Sequence, residues 1–481
     1  MLNRGFIILI LGVLLIVESF FLFVTAVVAK LYASSDFSAF FISGLIAFGV
    51  GLVAYFTSRN SKRVIYKRDG YFIVSMVWIV FSIFGALPFV ISQHVPTFTD
   101  AFFETMSGFT TTGISVFSDV ESLPHGLLLW RSLTQWIGGM GIIVLSLAIL
   151  PFLNIGGMQL FAAEVPGISH IKLTPKLKGT AIRLWLIYIG LTILEIVLLW
   201  ISGMPIFDAV CHSFTTMSTG GFSTKNSSIG FYGSSYIQYI IIFFMVLSGT
   251  NLSLIYYFVT LKFEKLRRNE EFFFYIAFIL FFTFIMFVIL LQLPNSVEST
   301  FRVALFSTAS LLTTTGFVTF DYGLFPQFAL NLVFIMMFIG GSTGSTVGGI
   351  KVIRVVVVLK NIYYELRRLV HPRAVIPIRI DKKSVSGAIV SNVLMFVTVY
   401  ALIFAVGAIA LTFFGMDFDT AVGASLTSIS NVGPGLGDVM NPMSYCTVSI
   451  PAKWILSTLM LVGRLEVFTV IALLTPQFWR S

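Results

Sequence analysis

Charged residues are scarce in this chain of 481 residues. They make up 11% of the sequence, against about 25% in an ordinary soluble domain. Hydrophobic residues make up 57%, and the mean hydropathy is +0.96. This composition argues against a soluble enzyme and excludes a disordered or fibrous chain. It predicts an all-α polytopic membrane protein, with room for about ten spans of ~20–25 residues.

Cysteine and histidine are also rare. Cys211 and Cys446 are the only cysteines, and the five histidines are scattered along the chain. A disulfide-rich fold is therefore excluded, and no zinc spacing, His/Glu metal motif or Ser/His/Asp set occurs. A disulfide between the two cysteines is one alternative, but a small buried thiol at Cys211 is the simpler interpretation. We expect no enzymatic activity and no nucleic-acid partner.

Long apolar runs predict ten membrane spans. The first run is too long for the apolar core of a signal peptide, so we interpret it as an uncleaved span. The predicted spans are residues 6–29, 37–57, 71–92, 127–150, 183–201, 236–260, 272–293, 327–359, 385–414 and 453–475.

Basic residues are almost absent from every second connection between these spans. One set of connections holds 22 of the 30 Lys and Arg residues, whereas the opposite set holds only Lys225 and Arg302. The basic set comprises residues 58–70, 151–183, 261–271 and 351–383. The positive-inside rule then places both termini in the cytoplasm. Acidic residues predominate outside, where they either attract cations or simply keep the loops polar.

The four outside connections share a short apolar stretch followed by small and hydroxyl residues. These motifs end in TTTG at Gly113, STGG at Gly221, TTTG at Gly316 and NVG at Gly433, and successive glycines lie 108, 95 and 117 residues apart. About 11 apolar residues cannot cross a ~30 Å hydrocarbon core, but they can enter it and return. The sequence predicts four helix–pore-helix–helix repeats around a central pore, preceded by two extra transmembrane helices.

The residue types in these motifs suit a cation pathway. Glycine permits unusual dihedrals and close approach, threonine adds a hydroxyl oxygen, and a short helix turns its partly negative C-terminal end towards the pore. Carbonyl oxygens and such dipole ends favour a dehydrating cation. The alternative is tight helix packing, which small residues also mark. The predicted division is a two-helix membrane domain at 1–70, followed by pore repeats at 71–170, 171–262, 263–383 and 384–481.

With these repeats and motifs, the sequence resembles the Trk/Ktr/HKT superfamily of potassium transporters over the whole chain. Three features resemble the TrkH branch of this superfamily. They are the two spans before the first repeat, the stretch MQLFAAEVPG at 158–167, and the stretch KLTPKLKGTAIRLW at 172–185. The resemblance implies potassium uptake across the bacterial inner membrane through a gated, channel-like pore. It also implies potassium ion as the bound ligand, a homodimer in membrane lipid, and a cytosolic TrkA-like ring of nucleotide-binding regulatory domains as partner.

The resemblance also implies a selectivity filter, carried over motif by motif. The filter positions are Thr110, Thr111, Thr112, Gly113, Ser218, Thr219, Gly220, Gly221, Thr313, Thr314, Thr315, Gly316, Asn431, Val432 and Gly433. Potassium would bind backbone oxygens of Thr111, Thr112, Thr219, Gly220, Thr314, Thr315, Asn431 and Val432. Glycine at Gly113 implies potassium over sodium, while the fourth repeat departs from the Thr pattern.

Five glycines interrupt the eighth predicted span. They are Gly340, Gly341, Gly344, Gly348 and Gly349, a composition that disfavours helix. A phosphate loop is excluded because no strand precedes the segment and no Gly-Lys-Ser/Thr follows. The segment is either a kinked, closely packed helix or a flexible intramembrane loop, and the resemblance implies that it is a gating loop.

A cation stands inside the last predicted span. Arg464 costs roughly 2.5 kcal/mol or more to insert there, so it should face water or a partner such as Glu466 or Glu195. The resemblance implies instead a positive charge on the pore wall that opposes cation passage. The alternative function for the whole chain is a secondary transporter that couples potassium to protons or sodium. Such transporters usually carry inverted repeats, and these four share one orientation, which favours a pore.

Overall fold

The computed structural model describes residues 2–61, 66–141, 177–292, 294, 296–371, 377–440 and 444–480. Within these residues the chain is mostly helical, and its only strands are two pairs of two residues each. The predicted all-α membrane class is confirmed. The second half of the predicted span 127–150 and the MQLFAAEVPG stretch lie outside the described residues.

The described helices, numbered in chain order, range from 4 to 28 residues. They are α1 (Arg4–Leu31), α2 (Phe37–Ser58), α3 (Lys67–Gly85), α4 (Leu87–Ile91), α5 (Phe98–Phe109), α6 (His125–Gly139), α7 (Leu177–Ile201), α8 (Ile206–Met217), α9 (Ser235–Ser248), α10 (Leu252–Val259), α11 (Phe263–Arg267), α12 (Glu270–Leu290), α13 (Val297–Leu312), α14 (Gln327–Phe338), α15 (Val352–Val370), α16 (Gly387–Phe413), α17 (Phe418–Ser430), α18 (Ile450–Arg464), α19 (Phe468–Leu474) and α20 (Pro476–Trp479). The strands are β1 (Ile339–Gly340), β2 (Ile350–Lys351), β3 (Arg379–Ile380) and β4 (Lys383–Ser384).

Six of the described helical segments are long and apolar enough to cross a membrane, and two bent pairs bring the number to eight. The bent pairs are α9 with α10, at 106°, and α18 with α19, at 117°. The predicted interruption of the eighth span, 327–359, is present. The segment consists of α14, a non-helical loop, and α15, which continues past the predicted end to Val370. The predicted connection 351–383 therefore contains a helix.

The first two helices pack on each other through small residues. Gly12 of α1 and Gly51 of α2 lie so close that a Cβ on either would meet the carbonyl oxygen of the other within about 3 Å. In lipid, close backbone approach of this kind supplies the packing that apolar burial cannot. The pair then contacts α3 and α6, which places it beside the first repeat.

The rest of the chain follows one order four times: a long helix, a short helix that ends at a motif, and then a helix of 12 to 15 residues. The short helices α5, α8, α13 and α17 hold 12, 12, 16 and 13 residues, too few to cross a membrane. We call them the pore helices. Each has an acidic residue in its first turn, where the helix dipole favours negative charge. Their opposite, partly negative ends carry the four predicted motifs.

The helix after the motif is broken, or ends beside the motif, in every repeat. α6 ends at Gly139, α9 ends before Gly249, and α18 ends before Leu465, whereas in the third repeat β1 and β2 pair in parallel across the glycine-rich loop. Sequence reasoning predicted only the break in the third repeat. The breaks after α9 and after α18 each span three residues inside a long apolar run, and a hydropathy window of span length averages over them.

Candidate cation pore

Each pore helix ends in the same hydrogen-bonded turn. The residue before the motif glycine donates its N–H to the carbonyl oxygen five residues earlier: Thr112 to Ser107, Gly220 to Thr215, Thr315 to Ser310 and Val432 to Thr427, at 2.8–3.1 Å. This arrangement is the usual helix ending in which one residue takes the left-handed conformation. The four motifs thus begin with one shared backbone geometry.

The left-handed residue is not glycine in any of the four turns. Thr111, Thr219, Thr314 and Asn431 have φ values of 55°, 54°, 48° and 54°. For a β-branched residue such a φ is unusual, and strained backbone of this kind concentrates at functional sites. Asn431 shares the conformation with the three threonines, so the fourth repeat departs from the others in residue type but not in backbone.

The four motif glycines form a closed ring, which we call the four-glycine ring. Gly113, Gly221, Gly316 and Gly433 have φ values of 83°, 80°, 76° and 109°. A Cβ built on each would face the carbonyl oxygen of the residue before the next glycine. The faced oxygens are those of Gly220, Thr315, Val432 and Thr112 in turn. The first three separations are under 3.0 Å and the last is 3.1 Å. Repeat four therefore closes on repeat one.

The hydroxyl groups beside the ring bond to one another or to nearby backbone. Thr110 and Thr112 share a hydrogen bond of 2.8 Å between their hydroxyls, and Thr313 and Thr315 share one of 2.7 Å. Ser218 bonds to the backbone of its own helix. The amide of Asn431 donates to Thr112 Oγ1 at 2.8 Å, which joins the fourth repeat to the first. All predicted filter residues are thus brought together around the ring.

The glycine-rich segment 340–350 lies against this ring. Gly348 N donates to Thr314 Oγ1 at 2.9 Å, and the hydroxyls of Thr219 and Thr346 lie 3.3 Å apart. A Cβ at Gly348 would meet the carbonyl oxygen of Ser430 within 3.0 Å. The segment therefore contacts the motifs of repeats two, three and four directly.

Further contacts fix the same segment from the side. Ser342 N donates to Gly249 O at 2.9 Å, and the Asn251 amide donates to Thr343 O at 2.6 Å. Glu271 Oε1 accepts from Thr343 N at 2.6 Å. The segment is thus an ordered, packed loop and not a kinked helix. The break in α9–α10, which sequence reasoning missed, supplies two of its partners.

Arg464 joins this loop to the first repeat. Its guanidinium donates to Thr346 O at 2.6 Å, to Thr111 Oγ1 at 3.1 Å and to the carbonyl oxygens of Gly138 and Gly139 at 2.7 and 3.1 Å. These partners place the cation beside the left-handed Thr111 and against the loop. Glu466, one of the expected partners of Arg464, forms an ion pair with Arg354 of α15.

The outer acidic residues are less available than the sequence suggests. Glu104 is buried and pairs with Arg131 at 2.7 Å, and Asp100 is buried and pairs with Lys453 at 2.7 Å. Asp208 accepts hydrogen bonds of 2.7 and 2.8 Å from Thr224 and Tyr232. These three carboxylates therefore brace the pore helices and do not serve as free cation attractors.

Exposed acids remain at the outer loops. Asp119 accepts from the Asn226 amide at 2.8 Å, and this hydrogen bond lowers the pKa of Asp119 below its ordinary value. The contact joins the loops that follow the first two motifs. Asp321 and Asp438 line an outer cavity of about 740 Å³. Cys211 is buried and Cys446 exposed, and both are free, so the disulfide alternative is wrong.

The helices and the four-glycine ring define a multi-pass membrane protein whose four re-entrant motifs meet at one centre. The sequence matches the TrkH family, described as a cation transport protein, over residues 36–480. The chain belongs to this family.

Solved and curated relatives agree with this assignment. The Trk system potassium uptake proteins TrkH of Salmonella typhimurium and of Escherichia coli K12 are each 40% identical, over 98% of both chains. The crystal structure of the potassium transporter TrkH from Vibrio parahaemolyticus superposes with a TM-score of 0.90, at 38% identity and with 100% of both chains covered.

Proposed function

We propose that the protein takes up potassium across the bacterial inner membrane through a channel-like pore whose selectivity filter is the four-glycine ring. The observation that carries the proposal is the cyclic contact of each motif glycine with a carbonyl oxygen of the next repeat. Four such carbonyl oxygens, one from each repeat, can replace the hydration shell of a cation. The relatives named as potassium uptake proteins support potassium as that cation.

The 340–350 loop and Arg464 are the proposed gate. The loop contacts three motifs, and Arg464 holds it to Thr111 and to the end of α6. A cation at this place opposes the passage of another. Shortening 340–349 should therefore raise potassium flux that does not need a partner. Shortened variants that insert normally yet stay as closed as the parent would make the loop a packing feature only.

The proposed setting is a multi-pass protein of the inner membrane with both termini cytoplasmic, as the distribution of basic residues favours. Exposed apolar side chains on the long helices, such as Phe20, Leu280 and Phe413, suit contact with lipid. The proposed assembly is a homodimer that binds a cytosolic TrkA-like nucleotide-binding ring. The basic residues of α15, next to the loop, are the proposed docking surface.

The alternative is a secondary transporter that couples potassium to protons or sodium. Secondary transporters contain broken helices, and the sharply bent pairs α9–α10 and α18–α19 of this protein are a feature of the same kind. Purified protein in liposomes under opposed potassium and proton gradients separates the two functions. A reversal potential that follows the potassium gradient and ignores pH supports the pore. A reversal potential that shifts with pH would replace the pore with the coupled transporter.

A further inference from the structure

One carbonyl oxygen of the four-glycine ring, that of Gly220, accepts a hydrogen bond from a buried side chain. Gln135, fully buried on α6, donates from Nε2 to Gly220 O at 2.7 Å. Its Oε1 accepts from Phe222 N at 3.0 Å. The side chain of the first repeat thus clamps the second motif on both sides of Gly221. Among the described residues, none donates a hydrogen bond to the equivalent oxygens of Thr112, Thr315 or Val432.

The same side chain explains why the second motif reads STGG. Gly220 stands where the other motifs have Thr112, Thr315 and Val432. It does not have a left-handed φ, unlike Gly221. A Cβ at Gly220 would instead lie within 3.0 Å of the Gln135 amide group. Glycine therefore suits this position because a Cβ would collide with the Gln135 side chain, and not because of its backbone conformation.

The other three repeats carry methionine at the matching place. Gln135 lies three residues before Gly138, the small residue at the end of its helix. Three residues before Ser248, Gly340 and Gly463, which stand at the breaks of the other second helices, lie Met245, Met337 and Met460. A methionine side chain donates no hydrogen bond. In the first repeat, the amide of Gln135 thus stands where the other repeats have methionine. In the second motif, Gly220 faces this amide and has no side chain, unlike the matching residues of the other motifs.

We propose that Gln135 is a positioning residue that sets the orientation and the effective charge of the Gly220 carbonyl, and so adjusts which monovalent cation the ring prefers. This inference rests on the proposed function of the ring as a filter. An N–H donor shares the negative charge of a carbonyl oxygen, so the Gly220 oxygen is a weaker ligand than it would be without Gln135. Removing the donor strengthens that ligand, and stronger oxygen ligands favour the smaller sodium ion over potassium.

The first experiment replaces the amide by the residue that the other repeats use. Gln135→Met should raise sodium permeability relative to potassium by roughly two- to tenfold, the worth of one neutral hydrogen bond. Gln135→Glu keeps an acceptor for Phe222 N, and in its ionised form it replaces the donor to Gly220 O by a negative charge, so it should shift the ratio in the same direction. Reversal potentials of purified protein in liposomes give the ratio, with Gln238→Met as the matched control away from the ring.

The second experiment tests whether the missing side chain at Gly220 makes room for the side chain of Gln135. Gly220→Ala should reduce flux and lower the melting temperature because its Cβ meets the Gln135 side chain. Gln135→Ala should restore both in the double variant, which a purely local effect at Gly220 would not allow. An unchanged permeability ratio in Gln135→Met and Gln135→Glu, or no rescue in the double variant, would overturn the positioning role. A parent protein without potassium preference would instead refute the proposed function, and this inference with it.

Discussion

Arg464 donates a hydrogen bond of 2.6 Å to the carbonyl oxygen of Thr346, so the cation of the last span is tied to the loop beneath the four-glycine ring. The same guanidinium bonds to Thr111, a left-handed residue of the first motif. One side chain therefore connects the proposed gate, the proposed filter and the break in the last span. We expect movement at any of the three to affect the other two through this side chain.

Arg464→Ala is expected to raise potassium flux per folded molecule. A unit charge repels a potassium ion ~4 Å away by roughly 1–4 kcal/mol, depending on the effective dielectric, which is about one to three decades in rate. Loss of the bond to Thr346 also loosens the loop. Flux of reconstituted protein, normalised to correctly inserted protein, is the measurement.

Arg464→Lys is the matched control for this prediction. It keeps the charge but cannot span the four oxygens that the planar guanidinium reaches. If flux rises in both variants, the effect is due to the lost hydrogen bonds. If flux rises only in Arg464→Ala, the effect is due to the lost charge. A normal yield of Arg464→Ala with unchanged or reduced flux would make Arg464 a structural residue.

Glu271→Ala is expected to open the loop without shortening it. Glu271 accepts from Thr343 N at 2.6 Å, and one hydrogen bond contributes about 0.5–1.5 kcal/mol. Its loss should raise partner-independent flux by roughly two- to tenfold. The neighbouring Glu270→Ala is the control, since Glu270 pairs with Lys360 at 2.6 Å and does not touch the loop segment 340–350. Equal flux in the two variants would show that the Glu271 hydrogen bond does not hold the loop closed.

Gly113→Ser is expected to erode the preference for potassium over sodium. Its Cβ would lie under 3.0 Å from Gly220 O, so the ring oxygen must shift. Gly433→Ser is the matched variant, because it also has a positive φ but its Cβ would lie 3.1 Å from Thr112 O. We expect the larger change in competing sodium and potassium fluxes for Gly113→Ser. Unaltered sodium exclusion in a well-folded Gly113→Ser protein would contradict the filter assignment.

The fold and the positions of the motifs could be predicted from the sequence because both are local signals. Each apolar run, basic loop and motif with small residues lies within one continuous stretch of the sequence. The closure of the ring and the Gln135–Gly220 contact join residues some 85 to 320 positions apart, as in the Asn431–Thr112 bond. The pairing of Glu466 with Arg354, and not with the nearby Arg464, depends likewise on which helices meet. No pattern along one segment specifies such partners.

The contact between Asp119 and Asn226 predicts a pH dependence of stability. The hydrogen bond from Asn226 lowers the pKa of Asp119. The ionised carboxylate therefore stabilises the fold fully above its ordinary pKa, and the contribution is lost as the pH falls through the lowered value. We expect the melting temperature of the parent to fall more steeply than that of Asn226→Ala below about pH 4. Parallel curves for the two proteins would show that this contact contributes nothing.

Charge reversal at Arg367 and Arg368 is expected to weaken binding of the cytosolic regulatory ring. Both residues lie in the last turn of α15, which begins directly after the loop at Lys351. Apolar side chains at Leu366 and Leu369 are exposed beside them, which suits a protein contact. A partner bound there could pull on the loop through one continuous helix.

Pull-down with the cognate ring, comparing the parent with R367E/R368E, tests this surface. We expect reduced capture together with loss of nucleotide-dependent flux, because the helix then no longer transmits movement of the ring. Arg267→Glu in α11 is the control, since it reverses one charge on a neighbouring connection that is also predicted to be cytosolic. Equal loss of capture in the control would indicate non-specific charge attraction, and full capture by R367E/R368E would remove α15 from the docking surface.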